Sequence, residues 1–93
     1  MLVSENRVTR INATAVKSRV IQAAESGDTV LDWSGVTVVD SSTVAIVLAW
    51  VRVLQKKNLT PRLVAVPEKM LSLMRLYGTY DLLSPCMKNT AEA

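Results

Sequence analysis

The chain has 93 residues, of which 49% are apolar and 20% are charged, so it is long enough for one domain and apolar enough to bury a core. It contains no histidine and a single cysteine, Cys86, which excludes imidazole bases, His-ligated metal sites and an internal disulfide. Eleven basic against eight acidic residues give a net charge of +3, and the scattered basic residues favour a solvated surface over nucleic-acid binding. A binding or regulatory module without metal or cofactor is therefore favoured over an enzyme.

No segment of the sequence has the pattern of a targeting signal or a membrane span. The first residues, Met1 to Glu5, carry neither a basic leader nor a long apolar run, so no signal peptide is predicted. The longest uninterrupted apolar run, Val44 to Val51, is far shorter than the about 20 residues that a membrane span needs. We therefore expect a cytoplasmic protein.

Helical and strand patterns alternate along the chain. Apolar residues recur at helical spacing from Asn12 to Ser26, and Gly27 is expected to cap this helix. Strands are predicted at residues 29–33, 36–39 and 63–66, with Ser34 and Gly35 as a turn or bulge between the first two, and further helices at about 41–57 and 68–77. This order implies βαβ units, and hence an α/β fold with a small, mostly parallel sheet and helices packed on it.

The domain is expected to span residues 1–87. Leu82 and Leu83 are predicted to pack a last turn against the core. The residues after them, Lys88 to Ala93, are predicted to form a flexible C-terminal tail.

Four consecutive residues that can cap a helix, Asp40 to Thr43, stand between a short apolar strand and a long apolar helix. In one interpretation, Asp40 or Ser41 accepts hydrogen bonds from the first free backbone N–H groups of the helix, which stabilises it by about 1 kcal/mol. In the other, a serine at this position is phosphorylated, because the free N–H groups and the helix dipole would stabilise the phosphate. Both interpretations can hold, since an unmodified cap can become a modified one.

The long helix carries more apolar surface than one sheet can cover. One stripe with the spacing of a core face consists of Val44, Val47, Leu48, Val51 and Leu54. A second stripe at the same period points elsewhere and consists of Thr43, Ile46, Trp50 and Val53. This second stripe is either deeply buried in a three-layer fold or an exposed protein-binding face with Trp50 as its anchor. We expect it to bind a partner, with the hydroxyl cluster of Ser41 and Ser42 at its rim.

Other candidate sites carry weaker signals. Trp33 and Trp50 are more typical of a core or an interface than of stacking on nucleotide bases. Asp32 and Asp40 could form a carboxylate pair, but no base or metal ligand accompanies them, so catalysis is not expected. The three glycines are too far apart for either nucleotide-binding signature.

Together these segments resemble the STAS domain family, the fold of anti-sigma factor antagonists and of related modules in transporters. The matching residues are Val30 to Val36, then Val39 to Ser42 with the apolar helix after them, Leu63 to Val66 with the helix after it, and Leu76 to Gly78. The resemblance covers about residues 2–85 and implies a STAS-like fold. Family members usually begin with a strand before the one placed near Leu2. No residues remain for it here, so either the sheet lacks this first strand or the chain begins further upstream.

Within the family, the strongest resemblance is to the short STAS subunit of the Mla phospholipid-transport ABC system. It rests on Leu76 to Gly78, on Asp81 to Pro85, on the helix containing Ala49 and Trp50, and on the lack of a fused domain. It implies a non-catalytic accessory subunit that binds and supports the ATP-binding subunit and lies peripheral to the inner membrane through that complex. The transporter would maintain the lipid asymmetry of the outer membrane.

The resemblance also implies a role for Ser41. This residue directly follows Asp40 and falls on the hydroxyl position that anti-sigma factor antagonists have phosphorylated, with Ser42 as its neighbour. The alternative function is therefore an anti-sigma factor antagonist regulated by serine phosphorylation.

Overall fold

The structure, a computed structural model, describes the backbone of residues 1–92 and the side chains of residues 1–87. In chain order its elements are β1 (Arg7–Val8), α1 (Ala13–Glu25), β2 (Val30–Asp32), β3 (Val38–Val39), α2 (Ser42–Lys56), β4 (Arg62–Val64), α3 (Glu68–Leu76) and α4 (Tyr80–Glu92). The predicted flexible tail at residues 88–93 lies outside the described side chains and stays a prediction.

The strands form two short parallel pairs, β1 with β3 and β2 with β4, and a bridge between Leu2 and Asp32 links the pairs. Leu2 pairs with Asp32, and Arg7 pairs with Val38. Between these two pairings the first segment advances by five residues and the second by six. The second segment therefore carries one extra residue. Of the predicted turn or bulge the structure has the turn, at Ser34–Gly35, closed by the N–H of Val36 donating to the carbonyl of Trp33 at 3.0 Å. Every pair is parallel, which confirms the predicted sheet.

A single apolar core joins the strands to the helices. Trp33 and Trp50 lie at its centre, with 0% and 1% of their surface exposed. Leu31 of β2 and Leu63 of β4, which lie opposite each other, are also buried. α1 packs along α2, while α4 packs against β4 and touches α3. These helix–helix and helix–strand contacts depend on apolar side chains. Burial of apolar surface is therefore the main force that holds the sheet and helices together.

Three helices end in the same way, with a residue in the left-handed conformation after the last turn. These residues are Gly27 (φ 93°) after α1, Asn58 (φ 59°) after α2 and Gly78 (φ 71°) after α3. In each case the next N–H reaches back to a carbonyl of the last helical turn; for example, the N–H of Thr79 donates to the carbonyl of Met74 at 2.8 Å. The predicted cap at Gly27 and the predicted helix ends near residues 57 and 77 are confirmed.

The sequence predicts only a last turn where the structure has the helix α4. Pro85 lies inside α4, at a position where proline removes a backbone hydrogen bond, and this made a helix there hard to predict. Leu83 is buried as expected. The prediction for Leu82 is wrong, because 70% of its side chain is exposed.

Within the described residues, no helix combines the length and the apolar character that a membrane crossing requires.

Candidate functional site

The link between β3 and α2 brings Asp40, Ser41 and Ser42 to one end of the long helix. β3 ends at Val39 and α2 begins at Ser42, so only two residues connect them. Ser41 occupies the N-cap position, with φ −62° and ψ −19°, but its side chain makes no capping hydrogen bond. The three residues predicted as a regulatory site therefore lie side by side, and the side chain that caps the helix is not that of Ser41.

Asp40 supplies the capping carboxylate. Its Oδ1 accepts a hydrogen bond from the Ser42 N–H at 2.9 Å and another from the Ser42 hydroxyl at 2.5 Å. Its Oδ2 accepts the backbone N–H of Arg10 at 2.9 Å. The hydroxyl of Thr43 donates to the Asp40 carbonyl at 2.8 Å. One side chain thus satisfies the first free N–H of α2 and fastens the β1–α1 loop to it.

These contacts lower the pKa of the Asp40 carboxyl below its usual value. The hydrogen bond from the Ser42 hydroxyl is the largest cause, and partial desolvation opposes it. The N–H groups of Arg10 and Ser42 and the charge of the Arg10 guanidinium lower the pKa further. Asp40 is therefore held as an anion, and the N-terminus of α2 already has its negative charge before any modification.

The two serines of the cluster differ in what their hydroxyls do. The Ser42 hydroxyl is committed to Asp40 and its side chain is half-buried. The Ser41 side chain is exposed, and its hydroxyl has no hydrogen-bond partner among the described residues. Ser41 is therefore the serine that a modifying enzyme or a partner can reach.

The prediction that the second apolar stripe of α2 is exposed is wrong. Thr43, Ile46 and Trp50 have 0%, 1% and 1% of their surface exposed, and Val53 is half-buried. The physical reason is that α2 packs along α1 as well as over the strand core, so two of its stripes are covered. Thr43, Ile46 and Trp50 belong to the core of the folded chain and are not available to a partner.

A third stripe of α2 faces outward. It consists of Ser41, Ala45, Leu48, Arg52 and Gln55, of which Leu48 is half-buried and the rest are exposed. Its apolar members were missed, because Leu48 has the spacing of a core residue and Ala45 carries little apolar surface. A signal was present in the sequence: Arg52 and Gln55 mark the outward direction, and counting back from them at the helical period leads to Leu48, Ala45 and Ser41.

An apolar depression of about 300 Å³ runs beside this stripe, between α2 and the turn that joins α3 to α4. It is lined by Ser41, Val44, Ala45, Leu48, Tyr77 and Thr79. Tyr77 is 56% exposed, so an aromatic side chain stands open to solvent on one wall. We call this depression, together with the second depression that shares Leu48 with it and extends to Gln55, the α2 groove. Its apolar lining and its open aromatic ring are typical of a surface that binds another protein.

Asp32, the other member of the carboxylate pair considered from the sequence, makes a structural contact. Its Oδ1 accepts the N–H of Ser34 at 2.8 Å and so holds the turn at Ser34–Gly35. Within residues 1–87, no three His, Cys, Asp or Glu side chains lie close enough to hold a metal ion. The arrangement suits recognition of a partner, with one reachable hydroxyl at the end of an apolar groove.

One comparison with known proteins identifies a family. The family model described as "Mlab, STAS domain" matches residues 5–84, which includes every strand and helix from β1 to α3 and the first turn of α4. No curated protein and no solved structure matches the chain.

Proposed function

Because this chain belongs to the MlaB-type STAS domain family, we propose that it is a non-catalytic accessory subunit of an ABC-type phospholipid-transport complex. In this proposal it binds the ATP-binding subunit, supports its activity, and reaches the cytoplasmic side of the inner membrane only through that complex. The complex would maintain the lipid asymmetry of the outer membrane.

The observation that carries this proposal is the α2 groove with Ser41 at its end. A subunit that acts without catalysis needs a surface for its partner, and that surface must stay open in the free chain. The α2 groove has an apolar floor at Ala45 and Leu48 and an exposed aromatic wall at Tyr77. Trp50, the anchor that the sequence predicts for a docking face, is buried and cannot serve this purpose.

Co-purification with the ATP-binding subunit of the cell's lipid transporter tests the proposal. Ser41→Glu places a carboxylate in the lining of the groove, where a partner would have to desolvate it. We expect this variant to lose the ATP-binding subunit and the subunit's ATPase activity to fall to the level without the chain.

The matched control is Ser18→Glu, because Ser18 is an exposed serine on α1, away from the groove lining. We expect this variant to bind like the wild type, with the circular dichroism spectra of both variants showing a folded chain. Wild-type chain that does not capture the ATP-binding subunit, or Ser41→Glu that captures it normally, would contradict the proposal.

The alternative function is an anti-sigma factor antagonist that is regulated by phosphorylation of Ser41. It is favoured by one observation: the Ser41 hydroxyl is exposed and has no hydrogen-bond partner among residues 1–87, whereas the neighbouring Ser42 hydroxyl is bonded to Asp40. It predicts a phosphate on the chain isolated from cells, its loss in Ser41→Ala, and capture of an anti-sigma factor kinase. Capture of the ATP-binding subunit by a chain that carries no phosphate would rule it out.

A further inference from the structure

The α2 groove continues beyond the depression near Ser41. A second depression shares Leu48 with the first and is floored by Val51 and by Leu82 of α4. Leu82 is 70% exposed, so this part of the floor is also open to solvent. Along α2 the outward stripe from Ser41 to Gln55 spans about 21 Å at the helical rise of about 1.5 Å per residue. A helix of about four turns fits this length.

The charge on this groove has one sign. Arg52 is exposed and lines the second depression together with Gln55, and among the side chains of residues 1–87 no acidic one lines either depression. The ion pairs within residues 1–87 are elsewhere, between Met1 and Asp28 and between Arg19 and Glu5. α2 itself contains no acidic residue. The groove therefore presents an unpaired cation beside an apolar floor, which complements an apolar segment that carries a carboxylate.

A second copy of the chain does not complement this surface. In a two-fold symmetric dimer the same patch would face itself, so each Arg52 would meet a groove that has a cation and no carboxylate. An anionic membrane surface fits less well than a protein, because lipid binding draws on clusters of basic residues. Here Arg52 is the one charged residue that lines the groove among the residues whose side chains the structure describes.

We propose that the α2 groove binds an amphipathic helix of the ATP-binding subunit. The apolar side chains of that helix would pack against Leu48, Val51 and Leu82, and one of its Asp or Glu side chains would pair with Arg52. This inference rests on the proposed function and names the chemistry of the partner segment. Arg52 would set the register of the bound helix, since a charge pair fixes position along an otherwise apolar contact.

The test measures the affinity of the purified chain for the purified ATP-binding subunit. Arg52→Glu is expected to raise Kd about tenfold or more, because it puts a carboxylate opposite a carboxylate. Arg52→Lys keeps the charge and is expected to retain most of the affinity. The control is Lys17→Glu, the same charge reversal at an exposed position of α1, which is expected to leave Kd unchanged. Thermal unfolding of each variant shows that the fold is retained.

The failures of the two proposals are distinct. If the wild-type chain binds the ATP-binding subunit and Arg52→Glu behaves like Lys17→Glu, the inference about the partner segment is wrong and the proposed function stands. If the wild type does not bind that subunit, the proposed function fails. A third outcome would also overturn the inference. In it, Arg52→Glu still binds the ATP-binding subunit but loses an ability that the wild type has, either to bind phosphatidylglycerol-containing vesicles or to dimerise in sedimentation. The groove would then be assigned to a membrane or to a second copy of the chain.

Discussion

Asp40 joins the first turn of α2, through Ser42, to the β1–α1 loop, through Arg10, which precedes Asp40 by 30 residues. One carboxylate therefore holds two backbone segments together. The sequence predicts the capping half of this role, since an aspartate before an apolar helix is a frequent cap. The contact with Arg10 could not be predicted, because it uses a backbone N–H and leaves no residue pattern.

Replacing Asp40 tests this role at the residue scale. Asp40→Ala is expected to lower the free energy of unfolding by about 1 kcal/mol, the typical value of a lost cap. Denaturant unfolding at neutral pH measures it. An equal loss in Ser41→Ala would contradict the assignment of the cap, because the Ser41 side chain makes no capping hydrogen bond.

The pH dependence of the unfolding free energy separates the effect of the charge of Asp40 from the effect of its size and geometry. The pKa of Asp40 is lower in the folded chain than in the unfolded one, so its carboxylate stabilises the fold above the unfolded pKa. This stabilisation is lost as the pH falls through the folded pKa. The difference in unfolding free energy between the wild type and Asp40→Asn is therefore expected to shrink as the solution is acidified. Glu25→Gln, at an exposed residue of α1, serves as the control; a constant difference for Asp40→Asn would refute the argument.

At the scale of the elements, the ends of the helices were predictable and the outward side of α2 was not. Helix ends depend on local backbone conformation, and the glycines Gly27 and Gly78 indicate in the sequence where the left-handed conformation ends a helix. The outward side depends on how α1 and the strands dock on α2. The apolar stripes of α2 all have the same helical period, so periodicity alone cannot tell which stripe is buried and which faces outward. The polar residues Arg52 and Gln55 indicate the outward direction.

The conformation of Gly78 gives a prediction about the end of α3. A Cβ added to Gly78 would meet no atom within 4 Å, so Gly78→Ala is destabilising only through its φ of 71°. We expect a loss of about 1 kcal/mol in unfolding free energy. Gly35→Ala is the matched control, because Gly35 has no left-handed φ and its added Cβ would lie 3.8 Å from the Val3 carbonyl oxygen. A change in Gly35→Ala as large as that in Gly78→Ala would contradict the conformational explanation.

The buried and outward stripes of α2 are expected to respond differently to mutation. Trp50→Ala is expected to lower the free energy of unfolding by about 3–5 kcal/mol, because it removes a fully buried indole from the core. Ala45→Ser, on the exposed side, is expected to change it by less than about 0.5 kcal/mol. Equilibrium unfolding in urea measures both values. A small effect of Trp50→Ala would mean that α2 does not pack as described.

At the scale of the whole molecule, the groove is a property of the assembled fold. Its two walls come from α2 and from residues near Tyr77 and Leu82, which are separated in sequence by the whole of β4 and α3. The sequence predicted α/β order and a parallel sheet, because strand and helix patterns alternate. It did not predict α4, since Pro85 argues against a helix, and without α4 the second wall of the groove is not visible.

The central claim is that the outward side of α2 contacts the ATP-binding subunit. A photo-reactive amino acid placed at Ala45, inside the groove, tests this contact directly in cells that contain the complete transporter. The same amino acid at the exposed position Lys17 of α1 is the comparison. We expect irradiation to link position 45, and not position 17, to the ATP-binding subunit. A link from position 17 alone, or from neither position, would contradict the account.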